Sequence, residues 1–272
     1  MINELISIFS LEFVQRALIG GILVSLCCAL LGVTLVLKRF SMIGDGLSHV
    51  AFGALAIATA LQVTPMYFAI PVVIFSAFLL LRLKDSSKIK GDSAIALISI
   101  SSLAIGVIFI SYSSGANTDV YNYMFGSILA LNNQDIAFII VLSIFIILMY
   151  FVTYNKMFAV TFDEKFAKST GINVEFYNML IAFLSAIAIV IGMKMMGAML
   201  ISALIIFPAL TAMRICKTYK SVVILSLIIS IFNFCIGMLL SVIFNTPTGA
   251  SIVVVDLIIF TLFSLIGKIV YK

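Results

Sequence analysis

Residues 221–255 read SVVILSLIISIFNFCIGMLLSVIFNTPTGASIVVV, and this segment contains no Lys, Arg, Asp or Glu. A helix needs roughly 20 apolar residues to cross the hydrocarbon core of a bilayer, so the segment is long enough for two crossings. Between them, Thr246 can cap the second helix and Pro247 can occupy its first turn. The segment therefore predicts two membrane-spanning helices joined by a short turn.

The whole chain has the same apolar character. Of its 272 residues, 64% are hydrophobic and 10% are charged, whereas about 25% of residues are charged in an ordinary globular domain. A soluble fold of this size is excluded because too few polar groups are available to cover its surface. Intrinsic disorder is excluded because apolar surface to bury is abundant. The composition predicts a multi-pass membrane protein.

Charge-free stretches locate the predicted spans, which number nine. The boundary between the sixth and the seventh, near Lys194, is the least defined, so eight spans remain possible. We therefore expect an all-α membrane helix bundle that forms a single domain over residues 1–272. The predicted spans are 17–37, two within 46–81 separated at 62–65, 93 to about 113, 136–155, 176–193, 195–213, and two within 221–267 separated at 245–249.

The positions of the basic residues predict the orientation of the bundle. Fourteen of the sixteen Lys and Arg residues lie in five segments that a nine-span chain places on one side of the membrane. By the positive-inside rule this side is cytoplasmic, so the N-terminus is expected outside and the C-terminus inside the cell membrane. The net charge of +5 therefore indicates how the chain is oriented in membrane lipid, and it does not indicate nucleic-acid binding. The five segments hold Lys38 and Arg39; Arg82, Lys84, Lys88 and Lys90; Lys156, Lys165 and Lys168; Arg214, Lys217 and Lys220; Lys268 and Lys272.

Two connections are longer than simple turns. The extracytoplasmic connection, 113–135, carries an aromatic cluster of Tyr121, Tyr123 and Phe125, which fits either an interfacial aromatic belt or a docking surface. The cytoplasmic connection, 155–178, predicts a short amphipathic helix. A short helix of this kind is expected at a surface where another protein binds the bundle. Its candidate caps are Thr161 or Asp163 at the start and Gly171 at the end.

Asp45 and His49 are the main candidates for metal binding. They stand at positions i and i+4 and so share one helix face, and His49 is the only histidine in the chain. A carboxylate beside an imidazole suits zinc or manganese, while a structural hydrogen bond between the two residues is the alternative. The flanking Gly44 and Gly46 predict an irregular start of this helix.

Asp256 is the other ionisable residue within a predicted span that is a candidate for a functional role. It could pair with Lys194, face a polar cavity or lie near the hydrated interface, and a structural role is favoured. The cysteines are expected to be small buried hydrophobes, and the methionines near residue 195 are expected to serve packing rather than copper binding. The sequence has no GxxxxGK[ST] phosphate loop, so no ATP site is expected in this chain. The cysteines are Cys27, Cys28, Cys216 and Cys235, and the methionines are Met193, Met195, Met196 and Met199.

Five segments, in series over residues 13–267, resemble the permease subunits of zinc and manganese importers of the ABC-3 family. They are SMIGDGLSH at 41–49, YMFGSILA at 123–130, DEKFAKSTG at 163–171, MGAMLISALIIFPA at 196–209 and PTGAS at 247–251. The resemblance implies a homodimer with the vitamin B12-importer type (type II) of ABC permease fold. It also implies two cytoplasmic ABC ATPase subunits, an extracytoplasmic metal-binding protein, and transported Zn²⁺ or Mn²⁺ without a permanently bound cofactor. The chain itself would not be an enzyme.

The resemblance also suggests roles for individual residues. Asp45 and His49 match the translocation pathway of the family. Asp256 stands where a small or uncharged residue is expected. The residues that match the coupling helix, which docks on the ATPase, are Asp163, Glu164, Phe166, Ala167 and Gly171.

Two hypotheses from other functional classes compete with a metal-importing ABC permease. An ion-coupled secondary metal transporter would favour several intramembrane carboxylates or unwound helices in related halves of the chain. An intramembrane enzyme would need a fuller catalytic constellation than one His beside one Asp.

Overall fold

The structure is a computed structural model, and it describes residues 11–84, 91–112, 124, 126 and 132–270. These ranges form ten α-helices, as the all-α prediction requires. The helices are α1 (Glu12–Leu37), α2 (Ser41–Ala60), α3 (Pro65–Lys84), α4 (Gly91–Tyr112), α5 (Asn133–Phe162), α6 (Glu164–Ser169), α7 (Val174–Met196), α8 (Ala198–Met213), α9 (Tyr219–Phe244) and α10 (Thr248–Val270).

Eight of the described helices, all except α6 and α8, are long and apolar enough to cross a membrane. Helix α8 has 16 residues and therefore a length of about 24 Å, which is less than the ~30 Å of a hydrocarbon core. The nine predicted segments thus correspond to eight full-length spans and one shorter helix. The break between α7 and α8 falls at Gly197 rather than at Lys194. Gly197 has φ 87°, a left-handed conformation that glycine adopts without steric cost.

The turn before the last helix differs in detail from its prediction. Asn245 ends α9 in a left-handed conformation, with φ 51°. Helix α10 begins at Thr248, one residue later than predicted. The Thr246 hydroxyl shares a hydrogen bond of 2.7 Å with the Ser251 hydroxyl instead of capping a backbone amide, while the Ser251 amide donates to the Pro247 carbonyl.

Contacts at the helix termini distinguish two ends of the bundle. At one end, Lys38, which follows α1, pairs with Glu164 of α6. At the other, Lys194 in the last turn of α7 pairs with Asp135 in the first turn of α5 at 2.5 Å. We call the first the basic end and the second the opposite end. The basic end also carries Arg82, Lys165, Arg214 and Lys268, and it is the end predicted to be cytoplasmic.

Helix α1 forms the centre of the core and contacts α5, α7, α8 and α9. A Cβ atom on Gly32 would lie 2.0 Å from the Ile205 carbonyl oxygen, so α1 and α8 meet backbone to backbone, as small residues allow in membrane bundles. Cys27 and Cys28 are buried as predicted, whereas Cys216 and Cys235 are only partly buried. The buried Met193, Met195 and Met196 pack in the same core.

Asp256 links α9 to α10. Its carboxylate is fully buried and accepts a hydrogen bond of 2.5 Å from the Asn233 side-chain amide. The suggested pairing with Lys194 is wrong, because Lys194 is held by Asp135. In the part of the chain that the structure describes, Asp256 Oδ2 and Asn233 Oδ1 have no hydrogen-bond partner. The geometry agrees with a structural role.

We expect Asp256→Asn to unfold at nearly the wild-type temperature in detergent micelles, because an amide can keep the bond to Asn233. Asp256→Leu leaves the Asn233 amide buried and unsatisfied, which costs roughly 1–3 kcal/mol. The Asn233→Leu/Asp256→Leu double variant should recover most of that loss, since replacing both partners removes the unsatisfied group. Normal stability of Asp256→Leu combined with loss of transport would instead indicate a functional carboxylate.

Candidate functional site

Helix α2 presents the two candidate metal ligands. It begins at Ser41 and is helical to Ala60, so the predicted irregular start around Asp45 is wrong. Gly46 has a packing role instead. A Cβ atom on Gly46 would lie 2.6 Å from Ile95 Cγ2, so Gly46 allows α4 to approach α2 closely. A Cβ atom on Gly44 would lie 3.4 Å from Ile205 Cδ1 of α8, which is ordinary van der Waals contact.

The two candidate ligands lie close together without bonding directly. His49 Nε2 is 3.9 Å from Asp45 Oδ2, which is beyond hydrogen-bond range. Bonds of about 2.0–2.2 Å from one tetrahedral ion place its nitrogen and oxygen ligands roughly 3.4 Å apart. The direct bond required by the purely structural alternative is thus absent from this pair, and a slight approach of the two side chains would let a single metal ion bind both.

A third residue, Ser202 of α8, holds Asp45 in place. The Ser202 hydroxyl donates a hydrogen bond of 3.1 Å to Asp45 Oδ1, leaving Oδ2 directed towards His49. Sequence reasoning missed this contact, although Ser202 lies in a quoted segment, because a hydroxyl in an apolar helix has no periodic signature. A hydrogen bond from a neighbouring helix orients a ligating carboxylate in the way typical of supporting residues in metal sites.

The site faces away from the core of the chain. The side chains of His49 and Asp45 are 35% and 45% exposed, and Met42 on the same helix face is also exposed. A carboxylate open to hydrocarbon is unfavourable, so this face requires water or another protein beside it. Among the described residues, no group of three or more His, Cys, Asp or Glu side chains is placed to hold a metal ion. Asp45 and His49 therefore have no third such ligand beside them in the described part of one chain.

The predicted cytoplasmic helix is present as α6. Asp163 caps it, because its Oδ1 accepts hydrogen bonds from the backbone amides of Lys165 and Phe166. Thr161 is not the cap, since its hydroxyl bonds the Met157 carbonyl one turn back in α5.

Gly171 terminates α6 in a Schellman motif. Its amide donates to the Lys168 carbonyl and the following Ile172 amide donates to the Ala167 carbonyl. Gly171 has φ 82°, as this motif requires. Of the side chains assigned to coupling, Ala167 is buried, Asp163 and Glu164 are exposed, and Phe166 projects outward with 61% of its surface exposed.

Lys38 ties α6 to the bundle, a role that the sequence did not indicate. Its side chain is 3% exposed and donates to Glu164 Oε1 at 2.8 Å, to the Val160 carbonyl and to Asn178 Oδ1. Burial lowers the pKa of this lysine, and the neighbouring Glu164 partly opposes that shift. From the sequence, Lys38 was used only to orient the bundle, whereas the structure makes it the junction of α1, α5, α6 and α7.

The extracytoplasmic connection is described only in part. Tyr121, Tyr123 and Phe125 lie outside the described residues, so the choice between a belt and a docking surface stays open. Gly126, with φ 79°, packs on the end of α7, where a Cβ atom would lie 2.4 Å from the Met196 carbonyl carbon. This contact anchors one point of the connection to the bundle.

Comparisons with known proteins agree with this arrangement. The ABC 3 transport family matches residues 10–267. The chain is 31% identical over 253 residues to the high-affinity zinc uptake system membrane protein ZnuB of Haemophilus influenzae, covering 92% of this chain and 96% of ZnuB. It is 30% identical over 261 residues to the manganese import system permease protein ScaB of Streptococcus gordonii, covering 96% of this chain and 94% of ScaB.

A solved structure has the same fold. PsaBC from Streptococcus pneumoniae, in complex with Fab, superposes on this chain with a TM-score of 0.88 at 31% identity, covering 97% of this chain and 95% of the PsaBC chain. The match confirms the predicted all-α ABC permease fold of the vitamin B12-importer type. The family match spans nearly the whole bundle, including Asp45, His49 and α6, and the chain belongs to the ABC 3 transport family.

Proposed function

We propose that this chain is the membrane permease subunit of an ATP-binding-cassette importer that carries Zn²⁺ or Mn²⁺ through a pathway lined by Asp45 and His49. The observation that carries the proposal is the pair itself: a carboxylate and an imidazole, 3.9 Å apart on an open helix face. ZnuB and ScaB, named for zinc uptake and manganese import, support this choice of cargo. Both ions accept oxygen and nitrogen ligands.

The working permease is a homodimer in this proposal. Zinc usually takes about four ligands, and one chain supplies Asp45 and His49. Two chains related by a two-fold axis along the α2 face would bring two carboxylates and two imidazoles together. The half-exposure of both side chains supports this, because a second α2 face would cover them. Such a site can open when the two halves separate, which transport requires.

Energy comes from a separate ATPase subunit in this proposal, since the chain has no phosphate loop of its own. Helix α6 is the docking element, with Phe166 exposed and Ala167, Glu164 and Asp163 fixing its position. An extracytoplasmic metal-binding protein delivers the ion at the opposite end. The bundle lies in the plasma or inner membrane of the cell. Its basic end faces the cytoplasm and its N-terminus lies outside.

An ion-coupled secondary carrier is less well supported. It would need carboxylates that take up and release the coupling ion, whereas Asp256 is buried against Asn233 and Asp135 is paired with Lys194. It would also leave the capped helix α6 without a partner.

The test is metal uptake into proteoliposomes that contain the permease, its ATPase and its metal-binding protein. We expect uptake of radioactive zinc or manganese that requires ATP and is insensitive to a proton ionophore, with the cognate metal identified by competition. Uptake driven by a proton or sodium gradient without the ATPase would refute the proposal.

A further inference from the structure

A large cleft opens at the basic end, and neither Asp45 nor His49 lines it. It has a volume of about 1490 Å³ and lies between residues 37–40 at the end of α1, α3, the end of α5, α6 and the start of α7. This volume exceeds the roughly 300–1,000 Å³ of ordinary small-molecule pockets. Apart from the Lys38 junction with Glu164 and Asn178, the contacts described above do not involve this cleft.

The rim of the cleft is strongly basic. Its charged lining consists of five cations and two carboxylates. Lys38 and Glu164 neutralise each other, which leaves four cations against Glu175. In the described part of the chain, none of these four forms an ion pair. They are Arg39, Arg82, Lys165 and Lys168.

The wall of the cleft is apolar on the side towards the middle of the membrane. Leu79 and Phe75 lie one and two turns, respectively, before Arg82 on the same face of α3. They are 68% and 40% exposed, and Met179 of α7 opposite them is 48% exposed. The cleft therefore changes from apolar to cationic along its length, with the cations at the helix ends.

We propose that this cleft binds one anionic phospholipid of the leaflet at the basic end. The phosphate would lie between Arg82 of α3 and Lys168 of α6, and the acyl chains would lie along Phe75, Leu79 and Met179. Charge complementarity identifies the occupant, since lysine and arginine bind phosphate oxygens through charge-assisted hydrogen bonds. Basic pockets between helices on the cytoplasmic side hold anionic headgroups in this way. The lipid would bridge α3 and the coupling helix.

The test measures lipid retained by the full-length permease. The protein is purified from membranes that contain phosphatidylglycerol and phosphatidylethanolamine, and the bound lipid is counted by native mass spectrometry. We expect one tightly held phosphatidylglycerol per chain. A basic residue near an anionic membrane surface contributes about fivefold to binding, so the Arg39→Asn/Arg82→Gln variant should retain roughly 25-fold less. Leu79→Trp, which fills the apolar wall without changing charge, should also reduce retention.

The matched control removes two basic residues outside the cleft, in Lys220→Gln/Lys268→Gln, and should keep the lipid. Equal loss in this control, or unchanged retention in Arg39→Asn/Arg82→Gln, would overturn the proposal. Retention of phosphatidylethanolamine in place of phosphatidylglycerol would overturn it as well. Wild-type permease that holds no lipid but cross-links to the ATPase through Lys168 would identify a protein as the occupant instead. None of these results depends on metal transport.

Discussion

Asp45→Asn and His49→Ala are each expected to reduce metal uptake in the reconstituted transporter to background. Loss of a residue that merely supports a metal ligand costs about 10–100-fold, so loss of a ligand itself should cost more than ~100-fold. Ser202→Ala should have the smaller, supporting effect, because it removes the hydrogen bond to Asp45 Oδ1 but leaves the carboxylate. Both ligand variants should still assemble, since these side chains are half-exposed and outside the core.

Controls separate a metal ligand from a general defect. Asp92→Asn removes a carboxylate from the exposed first turn of α4 and should leave uptake unchanged. Metal-edge X-ray absorption gives the direct measurement. Oxygen and nitrogen ligation that is identical in the wild type and in His49→Ala would exclude His49 as a ligand and leave a gating role.

Much of the fold could be predicted from the sequence because the bilayer imposes strict requirements. Each crossing needs a long charge-free helix, and the breaks at 62–65 and 245–249 carry ordinary turn residues. The short helix α8 was harder to delimit. Lys194 looked like the end of a span, yet it remains inside α7 because Asp135 of a different helix neutralises it. No pattern within one segment predicts such a partner.

The candidate site, like the fold, could be predicted from the sequence only in part. Asp45 and His49 could be found from the i, i+4 spacing, and the ends of α6 could be found from Asp163 and Gly171. Ser202 and Lys38 could not, because their roles arise from contacts across 157 and 126 residues of sequence. Gly46 was misread as a sign of an irregular backbone, because a glycine that admits a neighbouring helix and one that bends its own helix look identical in sequence.

Gly171→Val is expected to uncouple the permease from its ATPase. Nothing lies within 4 Å of a Cβ atom at this position, so the side chain has room and the effect is purely conformational. With φ 82°, a residue bearing a Cβ atom pays roughly 1–2 kcal/mol, and a β-branched one is disfavoured further. Helix α6 has only six residues, so loss of its Schellman end should displace Phe166.

The measurements are co-purification of the ATPase with the permease and metal-stimulated ATP hydrolysis, and both should fall at least severalfold. Membrane insertion should be unaffected, because α6 is not one of the spans. Gly171→Asn is the matched control. Asparagine tolerates the left-handed conformation, so this variant should keep most of the coupling while adding a side chain of similar bulk. Equal loss in the two variants would indicate a steric clash with the partner rather than a misplaced helix. Normal coupling in Gly171→Val would show that α6 is not the element through which ATP hydrolysis acts on the bundle.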